Sequence, residues 1–133
     1  MPSERFSYGG RDPLSPSALP FLPATLIGTD AQVPVSALVD SGAAINVLPY
    51  DVGLQLGYDW DANAMPISLT GNFAPSEAKA LIVKAKVGRF PEVEFAFAWT
   101  TRNDIPVILG QVNFFQEFDV RFFGGRREFE IAR

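Results

Sequence analysis

The stretch from Val35 to Pro49, VSALVDSGAAINVLP, holds the residues whose types and spacing could do chemistry. An apolar run, Val35 to Val39, leads straight into Asp40, and the next residues are small: Ser41, Gly42, Ala43 and Ala44. Apolar residues resume at Ile45, so the carboxylate stands at the edge of an apolar setting, where acid–base chemistry is open to it. A carboxylate placed there can take a proton from a water or give one to a carbonyl oxygen. Gly42 allows a tight turn and lets a second backbone, from a substrate or a partner chain, come close.

What is missing narrows the chemistry further. The sequence has no histidine and no cysteine. That removes Ser-His-Asp triads, Cys-His dyads, thiolate redox chemistry and the usual zinc sites together. A hydrolase built from this chain must work through carboxylates, and no metal or cofactor is expected. The formal charge of −4 argues against a nucleic-acid partner, which would need a clustered basic surface. Arg126 and Arg127 form an adjacent basic pair, but Glu128 and Glu130 beside them suit a solvated strand or turn. No apolar run approaches the roughly 20 residues that cross a bilayer, so no membrane insertion is expected. The first residues carry charges and prolines where a secretory signal would be apolar, which points to a cytoplasmic setting.

The elements that must position Asp40 read mostly as strands. At 133 residues, 47% apolar and 20% charged, the chain fits one soluble globular domain with its own core. Val93, Phe95, Phe97 and Trp99 alternate with Glu92, Glu94, Ala96 and Ala98, the period of a strand with one buried face. Phe21 to Gly28 and Val33 to Val39 are β-rich segments joined by a hairpin-like Thr29–Gln32 connection. Lys79 to Val87 is a further strand, closed by a turn at Gly88–Pro91. Asp119 to Phe123 and Arg127 to Ile131 flank Gly124-Gly125, a strong hairpin signal. Short helices are expected at Tyr50 to Leu56, after Pro49, and at Val112 to Phe118, after Gly110. Residues 1–19 read as an N-terminal extension, able to add an edge strand through Phe6 and Tyr8 or to stay mobile, and 20–133 as the domain.

These residues together resemble a known family. The Asp40-Ser41-Gly42-Ala43 loop, with its apolar lead-in and the Leu48-containing run after it, is similar to the active-site loop of retroviral-type aspartic proteases, the retropepsins. A second family signature, two apolar residues and a glycine before a C-terminal helix, is matched by Ile108-Leu109-Gly110. Between the two lies room for a flap hairpin: Ile67 to Thr70, a tip at Gly71-Asn72-Phe73-Ala74-Pro75-Ser76, then the strand from Lys79. The resemblance spans roughly residues 20–131 and implies an all-β fold: a closed retropepsin-like barrel with a flap and one or two short helices, one lobe per chain.

With a single Asp-Ser-Gly loop, the resemblance implies a homodimer in which Asp40 of each copy supplies half of a carboxylate pair that hydrolyses polypeptide substrates. Ser41 would then bond across the dimer axis, against the plainer reading of a turn hydroxyl; without a histidine it is no nucleophile. Ala44, Ile45, Ile108 and the flap residues Gly71, Asn72 and Phe73 are the expected substrate contacts, Phe73 reading equally as one apolar residue on a surface hairpin. The sequence departs from the viral pattern in a paired way. An acidic residue after the loop alanine and an arginine after the Ile-Leu-Gly glycine usually form an ion pair, and here the positions hold Ala44 and Gln111. Losing both partners orphans no charge, which suits a cellular or bacterial relative. The competing reading is a catalytically inactive dimer that keeps the fold for peptide binding or assembly. The remaining acids have plain roles: Glu92 and Glu94 on a solvated strand face, and Asp12, Asp30, Asp59, Asp61 and Asp104 in turn-like settings.

Overall fold

The computed structural model describes residues 2–9, 19–62, 65–67 and 77–133. The expected flap tip, with Gly71, Asn72 and Phe73, and most of the 1–19 segment beyond its first strand lie outside the described residues. Among the described residues, ten strands and two short helices follow in chain order. They are β1 (Ser3–Ser7), β2 (Phe21–Ile27), β3 (Gln32–Val39), β4 (Asn46–Leu48), α1 (Tyr50–Gln55), β5 (Met65–Ile67) and β6 (Ala78–Val87). After them come β7 (Val93–Thr100), β8 (Val107–Leu109), α2 (Phe114–Glu117), β9 (Asp119–Phe123) and β10 (Glu128–Ala132).

The larger sheet closes on itself. Its order is β2-β3-β8-β4-β7-β6-β5, and an added β2–β6 pairing joins the two ends of the run β2 to β6. The result is a closed barrel of six strands with β5 appended to β6. Closure uses Ala24 to Ile27 against Lys84 to Val87, antiparallel. Over those four residues β2 is paired on both sides, by β3 and by β6. Two of the barrel's contacts are parallel, β3 with β8 and β4 with β7. These pairings bring the chain before Asp40 and the chain after it to the same end of the barrel.

Alternating side chains decide which face of each strand fills the barrel. On β6, Leu81, Val83, Ala85 and Val87 are buried while Lys84 and Lys86 point out. On β7, Val93, Phe95, Phe97 and Trp99 are buried as the period-2 pattern requires. Ala98, on the opposite phase, is buried as well, flanked in register by Val47 of β4 and Ala80 of β6. Trp99 is fully buried, and its indole N–H, costly to leave unmade, donates to the Tyr50 carbonyl at 3.1 Å.

A second sheet, ordered β1-β10-β9, covers one end of the core. Phe6, Phe129 and Phe122 stand opposite one another across its strands. Phe129 and its neighbour Ile131 are fully buried. The other face carries Arg5, Glu130 and Arg121 in the same register, with ion pairs of 3.3 and 3.9 Å. The expected glycine hairpin between β9 and β10 is present but wider than a two-residue turn: Gly124–Arg126 form a 3-10 turn and Arg127 takes a left-handed conformation. The second helix, expected over Val112 to Phe118, is one turn only. Its Phe114 packs against Phe95 and Phe118 in the core.

Candidate active site

Asp40 is the first residue beyond β3, and the chain turns sharply there. The Asp40 N–H donates to the Leu109 carbonyl at 2.9 Å, which extends the β3–β8 pairing by one residue and sets where the side chain emerges. Two further bonds form the turn. Ala43 N–H donates to the Asp40 carbonyl at 3.1 Å, and Gly42 N–H donates to Asp40 Oδ1 at 2.9 Å. An amide aimed at a carboxylate oxygen is a charge-assisted bond, so the side chain is oriented as well as the backbone.

Behind this loop the chain is laced to residues 109–113. Gln111 N–H donates to the Ala43 carbonyl at 2.9 Å, Val112 N–H to the Ala44 carbonyl at 3.0 Å, and Asn46 N–H to the Val112 carbonyl at 2.8 Å. The Gln111 side-chain amide donates to the Ser41 carbonyl at 2.8 Å. The position that lacks the viral arginine thus grips the loop by a neutral hydrogen bond.

A fully buried Asn46 supports the crossing from below. Its Oδ1 accepts the Gly110 N–H at 2.8 Å. Its Nδ2 donates to Asn113 Oδ1 at 2.9 Å and to the Ala96 carbonyl at 3.2 Å. Asn113 in turn accepts from Ala96 N–H at 3.0 Å and donates to the Glu94 carbonyl at 2.9 Å. Neither asparagine was singled out by the sequence reading. The available signal was a lone amide, Asn46, within the apolar run Ile45 to Leu48: a buried polar side chain is normally bonded, and its partners are normally structural.

Gly110 shows how tight the crossing is. A Cβ built on it would lie 2.5 Å from the Ile45 carbonyl oxygen and 2.7 Å from that of Ala43. Gly110→Ala is therefore expected to lower stability by about 2 kcal/mol, the usual scale of overpacking, because backbone rather than a flexible side chain must give way. Chemical denaturation would measure it, and a midpoint equal to that of the wild type would contradict the packing argument.

The front of the loop is open by contrast. Ser41, Gly42 and Ala44 are exposed, while Asp40, Ala43 and Ile45 are half-buried. A Cβ on Gly42 would meet only Asp40 Oδ1, at 3.3 Å. Asp40 and Ser41 line a depression of about 350 Å³ with Leu19, Pro20, Leu38, Val39 and Phe122. Among the described residues lining it, Asp40 is the one carboxylate. Ile108 lies in β8 between Leu38 and Val47 and is only 7% exposed, so most of it belongs to the barrel wall.

Asp104 and Asp59 occupy structural positions. Asp104 accepts two hydrogen bonds of 2.8 Å from Arg102, which hold its carboxyl below the usual carboxylate range. Asp59 caps its own turn through the Asp61 N–H at 2.9 Å. Among the described residues no group of acids is disposed to hold a metal ion, and no helix is long and apolar enough to cross a membrane.

A closed barrel whose Asp-Ser-Gly loop is locked against an Ile-Leu-Gly crossing defines a retropepsin-like aspartic protease. A family model described as "Aspartyl protease" matches residues 22–112, and the chain belongs to that family. Solved structures share the fold at low sequence identity. A retropepsin-like aspartic protease from Rickettsia conorii is 16% identical with a TM-score of 0.64, covering 98% of this chain and 92% of that one. The EIAV protease, solved with the inhibitor HBY-793, is 23% identical with a TM-score of 0.56, covering 74% of this chain and 86% of that one. The retroviral protease-like domain of Ddi1 from Leishmania major is 18% identical with a TM-score of 0.57, covering 76% and 79%. No curated protein matches the chain.

Proposed function

We propose that the chain is one half of a homodimeric aspartic endopeptidase, with Asp40 of each copy forming the catalytic pair. The observation that carries this reading is the asymmetry of the loop. It is bonded throughout on the side of residues 109–113 and open on the side of Ser41 and Gly42, where a single carboxylate faces out. Peptide hydrolysis by carboxylates needs two, one ionised and one protonated. A two-fold axis through that open face supplies the second.

Two carboxylates this close share one proton. The ionised member takes a proton from a water as its oxygen adds to the peptide carbonyl carbon, and the protonated member donates to the carbonyl oxygen. Collapse of the tetrahedral intermediate breaks the C–N bond: the carboxyl that took the water's proton passes it to the departing amine while the other carboxylate takes one from a hydroxyl of the intermediate, which returns the pair to its starting state. The bond from Gly42 N–H keeps each carboxylate aimed, so little rearrangement is left for the reaction itself. Substrate binds as an added strand, its backbone paired and its side chains in pockets. Ala44, Ile45 and Ile108 would flank it on this side and Gly71, Asn72 and Phe73 would close over it. With Ala44 and Gln111 both neutral, the subsite near Ile45 favours uncharged side chains. Ser41 bonds across the axis to its mate. The protease unit is taken as residues 20–133, to which β1 adds through β10.

The test is cleavage of an unstructured polypeptide measured against enzyme concentration. Because the site exists only in the dimer, specific activity should fall on dilution through the dissociation constant, in step with the mass seen by sedimentation. A strict monomer that cleaves would refute the shared site. A stable dimer without cleavage would return the chain to a peptide-binding or assembly role.

A further inference from the structure

The two bonds from Gln111 fall on either side of the exposed turn. Its backbone N–H reaches the Ala43 carbonyl and its side-chain Nε2 reaches the Ser41 carbonyl, at 2.9 and 2.8 Å. Between these carbonyls, the Gly42 N–H is turned inward to Asp40 Oδ1. The Ser41–Gly42 stretch therefore offers residues 109–113 a carbonyl to hold, and the Gln111 amide holds it. Gln111 is itself exposed. An exposed hydrogen bond between neutral groups adds little to global stability, because water replaces it readily. Its effect falls instead on the position of the one turn that carries Asp40.

We propose that Gln111 is a positioning residue for proteolysis, its neutral amide fixing the tilt of the Asp40 carboxylate by anchoring the carbonyl of the next residue. The inference rests on the proteolytic reading above. A donor is needed there, since the atom it meets is a carbonyl oxygen, and a neutral donor brings no net charge up to the carboxylate pair. Across residues 40–48 and 107–116 Asp40 is the sole ionisable side chain. Glu94, on the strand beneath Asn113, engages this region through its backbone carbonyl and is exposed.

Two substitutions separate positioning from general structure. Gln111→Ala removes the donor. Gln111→Glu replaces it with a group that repels the Ser41 carbonyl when ionised and donates to it when protonated. In Gln111→Ala, kcat is expected to fall about 10-fold to 100-fold, the cost of misplacing a reacting group by a fraction of an ångström or more, with KM changed less than about twofold. The denaturation midpoint should stay at the wild-type value. Gln111→Glu should match Gln111→Ala near neutral pH, then gain on it as pH falls through the ordinary glutamate range near about 4.3. Wild-type kcat in Gln111→Ala, or a Glu-to-Ala activity ratio that does not change with pH, would overturn the proposal and leave the protease reading intact. Hydrogen exchange at Gly42 and Ala43, expected to quicken in Gln111→Ala, separates the two failures. An inactive wild type that still shows the exchange change would end the protease reading while keeping the anchor on the loop.

Discussion

Asp40→Asn is expected to lower cleavage of an unfolded polypeptide by about a thousandfold or more, since it removes the acid–base group itself. The substitution is nearly isosteric, and an amide oxygen can still accept the Gly42 N–H that now reaches Asp40 Oδ1 at 2.9 Å. The fold and the dimer should therefore survive, with an unchanged denaturation midpoint and sedimentation profile. This separates lost chemistry from lost structure. Mixing supplies a second readout. With an equal amount of Asp40→Asn protein exchanged into a fixed amount of wild type, random pairing in a two-fold dimer leaves about half of the wild-type subunits in intact sites. Activity should drop to about half if a pair with one asparagine is inert. Wild-type activity in the variant would remove Asp40 from the mechanism, and a mixture with undiminished activity would remove the shared site.

Much of this arrangement was legible in the residues because the physics that sets it is local. Alternation at 92–99 places β7, and the apolar lead-in to a small-residue turn places Asp40 at a strand end. Phe6 and Tyr8 mark an edge strand, and residues 3–7 do pair with β10. What was not legible depends on long-range pairing. The short strands β4 and β8 are three residues each, too brief to show a period, and become strands only because each lies against the other and against β7 or β3. Ala98 was expected on the open phase of β7 and is buried between its lateral neighbours Val47 and Ala80, a pairing that only the sheet order reveals. Val112 was expected to begin a helix, but its N–H and carbonyl are spent on Ala44 and Asn46 at the crossing; Asn113 takes the N-cap place, its carbonyl accepting from Gln116 and Glu117 N–H, and α2 starts at Phe114. The Gln111 contact and the Asn46 network are likewise products of a crossing between segments about 65 residues apart.

The Asn46 network carries the largest expected loss of stability. At this crossing the ladder runs out: β4 meets β8 only at Val47 and Ile108, leaving the Gly110 N–H and the Ala96 carbonyl without strand partners. Asn46 answers both, and its remaining donor hydrogen goes to Asn113. Asn46→Leu has the right size and polarity for an apolar surrounding, yet it orphans buried backbone groups, each costing about 1–3 kcal/mol. The expected loss is about 4 kcal/mol, a large share of a domain's usual margin, read as a lowered denaturation midpoint at unchanged slope. Asn46→Asp tests the donor half separately. A carboxylate could accept from Gly110 but would face the Ala96 carbonyl and Asn113 Oδ1 with no hydrogen to give. Burial and two facing acceptors disfavour its charged form, so its folded pKa lies above the unfolded value of about 3.9. At pH values between the two the folded state binds the extra proton, so stability must fall as pH rises through that window and recover as pH drops. A midpoint for Asn46→Asp that does not depend on pH between about 4 and 8, beyond any change in the wild type, would show that the buried amide is not the strut that holds the Asp40 loop against Gly110.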